Sequence, residues 1–182
     1  MIRRLAALML LAACGADPQF YATPPAPAGD RIGIYAASVE VREVTLPLYA
    51  QAEEIHVGLP GGPIVQLEDA RWADDPRRAV TLELASALAA VTGARVASEP
   101  WPFQSFPAAT VTVRATQMLA GTDGVFRMSG QWTTGDRDGE RERAGAFDVA
   151  APFAPDGGSA AIAAARAVAV RDLARLIAAR GL

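Results

Sequence analysis

The chain has 182 residues, of which 51% are hydrophobic, enough for the core of a single domain. Its net charge is −3, and its basic residues are not clustered, which argues against nucleic-acid binding and against electrostatic docking on anionic lipid. With one cysteine and one histidine, the chain cannot form an internal disulfide or supply a typical zinc site, and we expect no metal and no cofactor.

The first 13 residues have the layout of an export signal. Two arginines give a positive start, residues 5–13 form an apolar run that ends in two alanines, and Cys14 follows. Such a run is too short to cross a bilayer as a helix. An ordinary secretory signal with a cysteine nearby is the alternative, but segment 11–14 resembles the bacterial lipobox. We therefore predict that residues 1–13 are removed and that Cys14 carries the lipid.

The predicted lipid would decide where the protein is held. Each buried methylene contributes about 0.8 kcal/mol, so several acyl chains such as palmitate would hold the protein on a membrane without a transmembrane helix. The residue after Cys14 is Gly15 and not an aspartate, and this pattern resembles that of lipoproteins sorted to the outer membrane. Residues 14–30 are rich in proline and small residues, which predicts an extended tether. Within it, Phe20 and Tyr21 are expected to add a short edge strand to the folded body.

Alternating apolar residues then predict several strands. Val39 to Leu46 reads as one long strand with a slip of register near residues 42–43. The glycine-rich turn at 58–63 lacks the features of a phosphate-binding loop, so we interpret it as a hairpin loop. Further strands are predicted at 53–57, 64–67, 95–97, 110–115, 126–132 and 144–149.

Two segments have helical periodicity. Aspartates before Pro76 predict the start of the first helix, and Gly93 predicts its end. The second starts at Gly158, and we favour packing on its own sheet over contact with a neighbouring copy. Arg166, Arg171 and Asp172 are predicted to lie off its apolar stripe, which comprises Ile162, Ala165, Ala169, Leu173 and Leu176. The fold class is therefore α+β: a single domain with a mostly antiparallel curved sheet and two main helices.

The single histidine, His56, is the only residue that could act as the base of a serine-type triad. It lies on the polar side of an alternating segment, and no nucleophile elbow of the form G-x-S-x-G accompanies it. We favour a solvated strand histidine over a catalytic base, and we predict that the protein is not an enzyme. A periplasmic hydrolase is the alternative that this interpretation rejects.

Several short motifs together resemble one family. The run VTLPLY at 44–49 resembles the opening of the ABC-type transport auxiliary lipoproteins, the PqiC-like family. The segments ARWA at 70–73 and PWP at 100–102, and the hairpin that ends at Gln131 and Trp132, follow in the family's order. The resemblance covers nearly the whole mature chain, and it implies that residues 31–182 form one auxiliary lipoprotein domain.

The resemblance implies an accessory, docking role in an MCE-type intermembrane lipid transport system. The expected partner is an MCE-domain protein, and a homo-oligomer is expected because MCE assemblies are ring-shaped. The alternative, from a different class, is a periplasmic lipid-binding carrier with an acyl-chain cavity between sheet and helix. The alanine-rich helices offer few large side chains to line such a cavity, so we favour docking.

Four aromatic residues near turns are the candidate contacts for a partner. They are Trp72, Trp101, Phe103 and Phe106. For each, the alternative is a place in the core, because aromatic side chains are major components of both cores and interfaces. We favour the core for Trp72 and leave both interpretations open for Trp101 and Phe103.

Overall fold

The computed structural model describes residues 17–25 and 29–182. The predicted signal segment 1–13, the predicted lipid site Cys14 and the sorting residue Gly15 lie outside the described residues. Within the described ranges, one mixed eight-stranded sheet that does not close on itself packs with two long helices. The strands are β1 (Gln19–Tyr21), β2 (Ser38–Val41), β3 (Glu54–Gly58), β4 (Ile64–Trp72), β5 (Arg95–Ser98), β6 (Ala109–Gly121), β7 (Val125–Gly135) and β8 (Arg143–Pro152). The helices are α1 (Pro76–Thr92) and α2 (Gly158–Arg180).

The long strand β6 is the centre of the sheet. On one side β7 pairs along most of its length, and β8 pairs with β7. On the other side β2 pairs with the start of β6 and β3 with its end. Strand β5 flanks β2, while β4 and then β1 extend outward from β3. The three antiparallel pairings hold most of the paired residues, and the short parallel pairings make the sheet mixed; the α+β class is confirmed.

The prediction of one long strand over 39–46 is wrong, because the strand ends at Val41 and only an isolated bridge at Thr45 follows, but the predicted slip of register is present. Val41 is in register with Val111, whereas the isolated bridge further on joins Thr45 to Arg114. The offset between the two segments therefore changes by one residue across positions 42–44. After β2 ends, this one-residue change of offset lets the following segment pair with β6 again, further along that strand.

Part of the predicted tether forms strand β1 and so belongs to the folded body. Phe20 is in register with Arg71, as expected for an added edge strand. Further along, Thr23 to Pro25 line a groove between α1 and α2, and the carbonyl of Asp30 accepts a hydrogen bond from Arg175. The segment from Gln19 to Pro25 is therefore docked on the domain and does not act as a free spacer.

Local signals set the limits of α1 as predicted. The Asp75 carboxylate caps the helix by accepting a hydrogen bond from the backbone N–H of Arg78 at 3.0 Å. That bond stabilises the charged form and so lowers the pKa of Asp75. Gly93 ends the helix in the left-handed conformation, at a φ of 73°.

Helix α2 packs on its own sheet, as predicted, but one of its residues is placed differently. Arg166, which was predicted to lie off the apolar stripe, is nevertheless fully buried. Its guanidinium binds Glu83 on α1 at 2.5 and 3.2 Å and stacks over the Trp72 ring. Helix α2 has two neighbours, the sheet and α1, so a residue outside the sheet-facing stripe can still be covered. Among the described residues, no helix is both long and apolar enough to span a membrane.

Candidate functional site

The loop between β5 and β6 holds three of the four candidate contact residues. Trp101 and Phe103 meet edge to face, with 4.9 Å between ring centroids. The indole N–H of Trp101 donates a 2.6 Å hydrogen bond to the carbonyl of Ser105. These contacts join Trp101 to Phe103 and to the backbone of the loop, while Phe103 and Phe106 remain exposed.

Arginines from neighbouring elements stack on these rings. The Arg95 guanidinium lies 4.7 Å from the Phe103 centroid, and that of Arg137 lies 4.0 Å from the Phe106 centroid. A cation–π contact at an exposed position contributes about 0.5–1 kcal/mol. The contacts therefore hold the exposed rings in place, and we call Trp101, Phe103 and Phe106 with these two arginines the aromatic surface.

An ionic cluster lies beside the aromatic surface. Glu40, a nearly buried residue of β2, binds the Arg42 Nε at 3.2 Å, and the Arg42 Nη1 also lies 3.0 Å from Glu99. An open cavity of about 520 Å³ lies between this cluster and the aromatic rings. It combines apolar walls with charged groups, a combination that suits a protruding side chain of a protein partner.

Trp72 is not part of the aromatic surface. It is buried at the end of β4, and Arg166 covers its ring at 4.3 Å from the centroid. This placement agrees with the core interpretation that we favoured for this residue. Of the four candidates, the structure brings together only Trp101, Phe103 and Phe106.

A further aromatic–arginine pair was missed in the sequence. The Arg141 guanidinium stacks 4.8 Å from the centroid of the exposed Tyr35 ring. Burial, and then the nearby carboxylate of Asp136, raise the pKa of Tyr35. Arg141 and Arg137 belong to the same turn between β7 and β8, which the sequence analysis treated as a plain connection. The two arginines of that turn were the available signal.

His56 lies half-buried on β3, between the buried residues Ile55 and Val57. Its Nδ1 is 3.0 Å from the carbonyl of Glu54, and its ring meets the edge of Tyr49. The described part of the chain holds no group of three or more His, Cys, Asp or Glu residues placed to bind a metal ion. The partners of His56 are those of a structural strand residue.

The motif VTLPLY joins the sheet to the helices. The backbone N–H of Val44 donates to the Thr81 hydroxyl of α1 at 2.9 Å. The Tyr49 hydroxyl accepts a hydrogen bond from the N–H of Met118, just beyond the bulge in β6. Val44 and Leu46 are buried. These motif residues therefore support the fold, and the aromatic surface is a separate feature.

The chain resembles known proteins at two levels. The sequence model of the family described as "ABC-type transport auxiliary lipoprotein component" matches residues 21–178. A solved structure of an uncharacterized protein is 18% identical, with a TM-score of 0.73 over 90% of this chain and 97% of the other. Protein XCC0632 from Xanthomonas campestris is 17% identical, with a TM-score of 0.67 over 88% of this chain and 93% of the other. At these identities the two structures show a shared fold only. No curated protein matches the sequence significantly.

Proposed function

Because the chain belongs to the family of ABC-type transport auxiliary lipoprotein components, we propose that it is the lipid-anchored docking component of an MCE-type intermembrane lipid transport system. In this role it binds a partner and places it at a membrane, without catalysing a reaction. The single observation that carries the docking role is the aromatic surface, in which Phe103 and Phe106 are exposed and each ring contacts an arginine or another ring.

The anchor in this proposal is Cys14, which would carry the acyl chains after removal of residues 1–13. The lipobox-like segment that ends at Cys14 supports lipidation, and Gly15 after it supports sorting to the outer membrane. The domain would then lie on the periplasmic face of that membrane. Metabolic labelling with a palmitate analogue tests the anchor, since Cys14→Ser must abolish incorporation.

The proposed partner is an MCE-domain protein, and its contact is the aromatic surface. Protein interfaces are enriched in aromatic residues and arginine, and tryptophan, tyrosine and arginine dominate their hot spots. Trp101, Phe103 and Phe106 provide the apolar part, and the stacked Arg95 and Arg137 provide charge without long flexible side chains extending into solvent. Rigid groups lose less side-chain entropy on binding.

We also propose that the protein docks as a homo-oligomer. A ring-shaped MCE assembly offers the same contact several times, and a matching ring of lipoproteins would engage every copy. Several weak contacts of this kind add up to strong attachment. Native mass spectrometry of the lipidated protein in detergent tests this part, because a single monomer peak would contradict it.

The packing of α2 favours docking over the lipid-carrier alternative. Ala169, Leu173 and Ile177 of this helix are fully buried where it lies on the sheet. Side chains therefore fill the space in which an acyl chain would have to lie. Mass spectrometry after gentle extraction tests this preference. Bound lipid beyond the anchor itself would favour the lipid carrier over the docking component.

Affinity capture from intact membranes tests the docking role. The tagged wild-type protein is compared with the double variant Phe103→Ser/Phe106→Ser and with Leu82→Ser, a control at an exposed apolar residue of α1. We expect the wild type and the control to recover an MCE-domain protein, and the double variant to lose it. Equal recovery by all three, or enrichment of a different envelope complex, would contradict the proposal.

A further inference from the structure

Strand β8 lies at a border of the sheet along its whole length. It has ten residues, and within the described part of the chain it pairs with β7 alone. The strands at the other borders, β1 and β5, have only three and four residues. A long unpaired border presents a row of backbone N–H and C=O groups to which another strand can bind.

A hydrogen bond just beyond β8 shows which of its backbone groups face outward. The N–H of Phe153 donates to the carbonyl of Gly124 at 2.7 Å, and this pair continues the register of β7 and β8. Successive residues of a strand direct these groups to opposite sides, so the odd-numbered residues of β8 bond to β7. The even-numbered residues direct their groups to the free edge. Those with an N–H are Ala144, Ala146, Asp148 and Ala150.

The side chains along this edge leave room for a second strand. Three of the four outward-directed residues are alanines, and all four are exposed on the sheet face away from the helices. The register of β7 and β8 has no bulge, and the only proline of β8 is its last residue, Pro152. Bulges, prolines and charges commonly keep edge strands apart. Among the outward-directed residues, only Asp148 carries such a device.

A second copy of β8 can occupy this edge. Two identical strands pair antiparallel around a two-fold axis, and one register centres on Phe147. In that register Ala144 faces Ala150 of the second copy, and Ala146 faces Asp148 of the second copy. Each of the four facing pairs exchanges two backbone hydrogen bonds. Every other symmetric register leaves an outward-directed residue opposite Pro152 or opposite a residue outside the strand.

The same register keeps like charges from facing each other. A register centred on Asp148 would place the two Asp148 carboxylates directly opposite, which destabilises a sheet. Centring on Phe147 places Asp148 opposite an alanine. Within each copy, Arg127 of β7 lies diagonally beside Asp148, because Arg127 is in register with Ala150. Charge and backbone hydrogen bonding therefore favour one register.

Helix α2 offers apolar surface beside this edge. Arg166 and Val170 face α1, which packs over β2 and β5 at the other end of the sheet. The helical repeat places Val168 and Leu176 on the opposite flank, toward the free edge of β8, and both are only partly buried. A strand added beyond β8 would cover this flank, so pairing gains apolar contact as well as hydrogen bonds.

We propose that the protein pairs with a second copy through β8, so that the two sheets continue into one another. This inference rests on the proposed homo-oligomer and names its contact. The contact is isologous, and its two-fold axis leaves α2 of both copies on the same side of the joined sheet. Trp101, Phe103 and Phe106 precede β6, two strands in from the edge, so the contact does not use them.

Disulfide trapping of the full-length protein in native membranes tests the contact and its register. The double variant Ala146→Cys/Asp148→Cys places cysteines opposite each other in the pair, with Cα atoms about 5.5 Å apart, which a disulfide can bridge. The matched control is Ala144→Cys/Ala146→Cys. It has the same number of exposed cysteines on the same edge, but the residues that face them are Ala150 and Asp148.

We expect mild oxidation to give a covalent dimer with the first variant, and the control to lose this product. Equal dimer yields from both variants, or no dimer from the first, would overturn the register and the contact. Covalent products with a different envelope protein in place of a dimer would assign the edge to another occupant and also overturn it.

A proline variant tests the backbone hydrogen bonds of the edge. Ala146→Pro removes an N–H that points away from β7, so the ladder within the domain stays intact. Ala146→Ser, the control, keeps the N–H. Native mass spectrometry of the lipidated proteins in detergent should show the loss of pairs with Ala146→Pro alone. Circular dichroism verifies the fold of each variant, and the disulfide test decides if Ala146→Pro does not fold.

Native mass spectrometry also separates this inference from the proposed function. A wild-type protein that is only monomeric would overturn the homo-oligomer and the β8 contact together. An oligomer that persists unchanged in a folded Ala146→Pro variant would overturn the β8 contact alone. Capture of the MCE-domain protein is measured separately through Phe103 and Phe106.

Discussion

Phe126 and Phe106 are the same residue type in two regions with opposite roles. Phe126 on β7 is 1% exposed, and its side chain lies in the layer between sheet and helices. Phe106, in the loop before β6, is 68% exposed, and an arginine stacks on its ring. The first ring holds the domain together, whereas the second leaves most of its apolar surface in water. Position in the fold, more than residue type, separates the supporting aromatics from those available to a partner.

The largest effect is expected when the two phenylalanines are truncated in parallel. Phe126→Ala removes a buried ring and leaves a cavity, so it should lower the free energy of unfolding by about 4 kcal/mol. Phe106→Ala should lower it by about 1 kcal/mol or less, the contribution of its cation–π contact with Arg137. Urea denaturation of both variants measures the difference. Similar losses would show that the loop is part of the core.

The second largest loss of stability is expected when the buried ion pair between the helices is broken. Arg166→Ala leaves Glu83 without its cation and uncovers the Trp72 ring, so we expect a loss of about 3 kcal/mol in the free energy of unfolding. Since Glu83 retains partial solvent access, this value is at the lower end for such pairs. The double variant Glu83→Gln/Arg166→Met should recover much of the loss, because it removes both charges. A single variant as stable as the wild type would mean that the pair does not join the helices.

The cap of α1 should have a smaller effect that depends on pH. Asp75→Ala removes the bond to the N–H of Arg78 and should cost about 1 kcal/mol at neutral pH. The pKa of Asp75 is lowered in the folded state, so its contribution is complete above the unfolded-state pKa and disappears as pH falls through the folded-state value.

The control for the cap is Asp75→Asn, which keeps a capping oxygen without a titratable group. Urea denaturation across acidic pH should show the advantage of the wild type over Asp75→Ala shrinking below about pH 4. The advantage of Asp75→Asn over Asp75→Ala should stay constant over the same range. A wild-type advantage that does not change with pH would contradict the role of the carboxylate.

The smallest effect on stability is expected at Leu48, which is 84% exposed. Leu48→Ser replaces a side chain that makes little contact with the domain, so the free energy of unfolding should change by less than about 0.5 kcal/mol. Urea denaturation of the variant and the wild type in detergent measures this change. A marked loss of stability in detergent would show that Leu48 supports the fold.

Local sequence signals predicted the elements well. Pro76 with its preceding aspartate and Gly93 determine the ends of α1 through contacts within a few residues. Apolar and polar residues alternate along β6 and β7 because one face of each strand is buried. The clustering of Trp101, Phe103 and Phe106 was predictable because all three belong to one loop.

Contacts between distant segments could not be read from the sequence. Arg166 is buried by α1, whose position depends on the crossing of two helices, and a single helical stripe gives no sign of this second neighbour. The stacking of Arg137 on Phe106 depends on how the turn after β7 lies against the loop before β6. The short parallel pairings of β2 and β3 with β6 could not be predicted for the same reason, because the paired segments are far apart in the chain.

Site-specific photo-crosslinking in living cells tests the central claim most directly. A photoreactive amino acid replaces Phe106 in one strain and Leu82 in another, and the crosslinked products are identified by mass spectrometry. The docking role predicts a crosslink from position 106, and none from position 82, to an MCE-domain protein. Crosslinks to that protein from position 82 alone, or only to other envelope proteins from position 106, would contradict it.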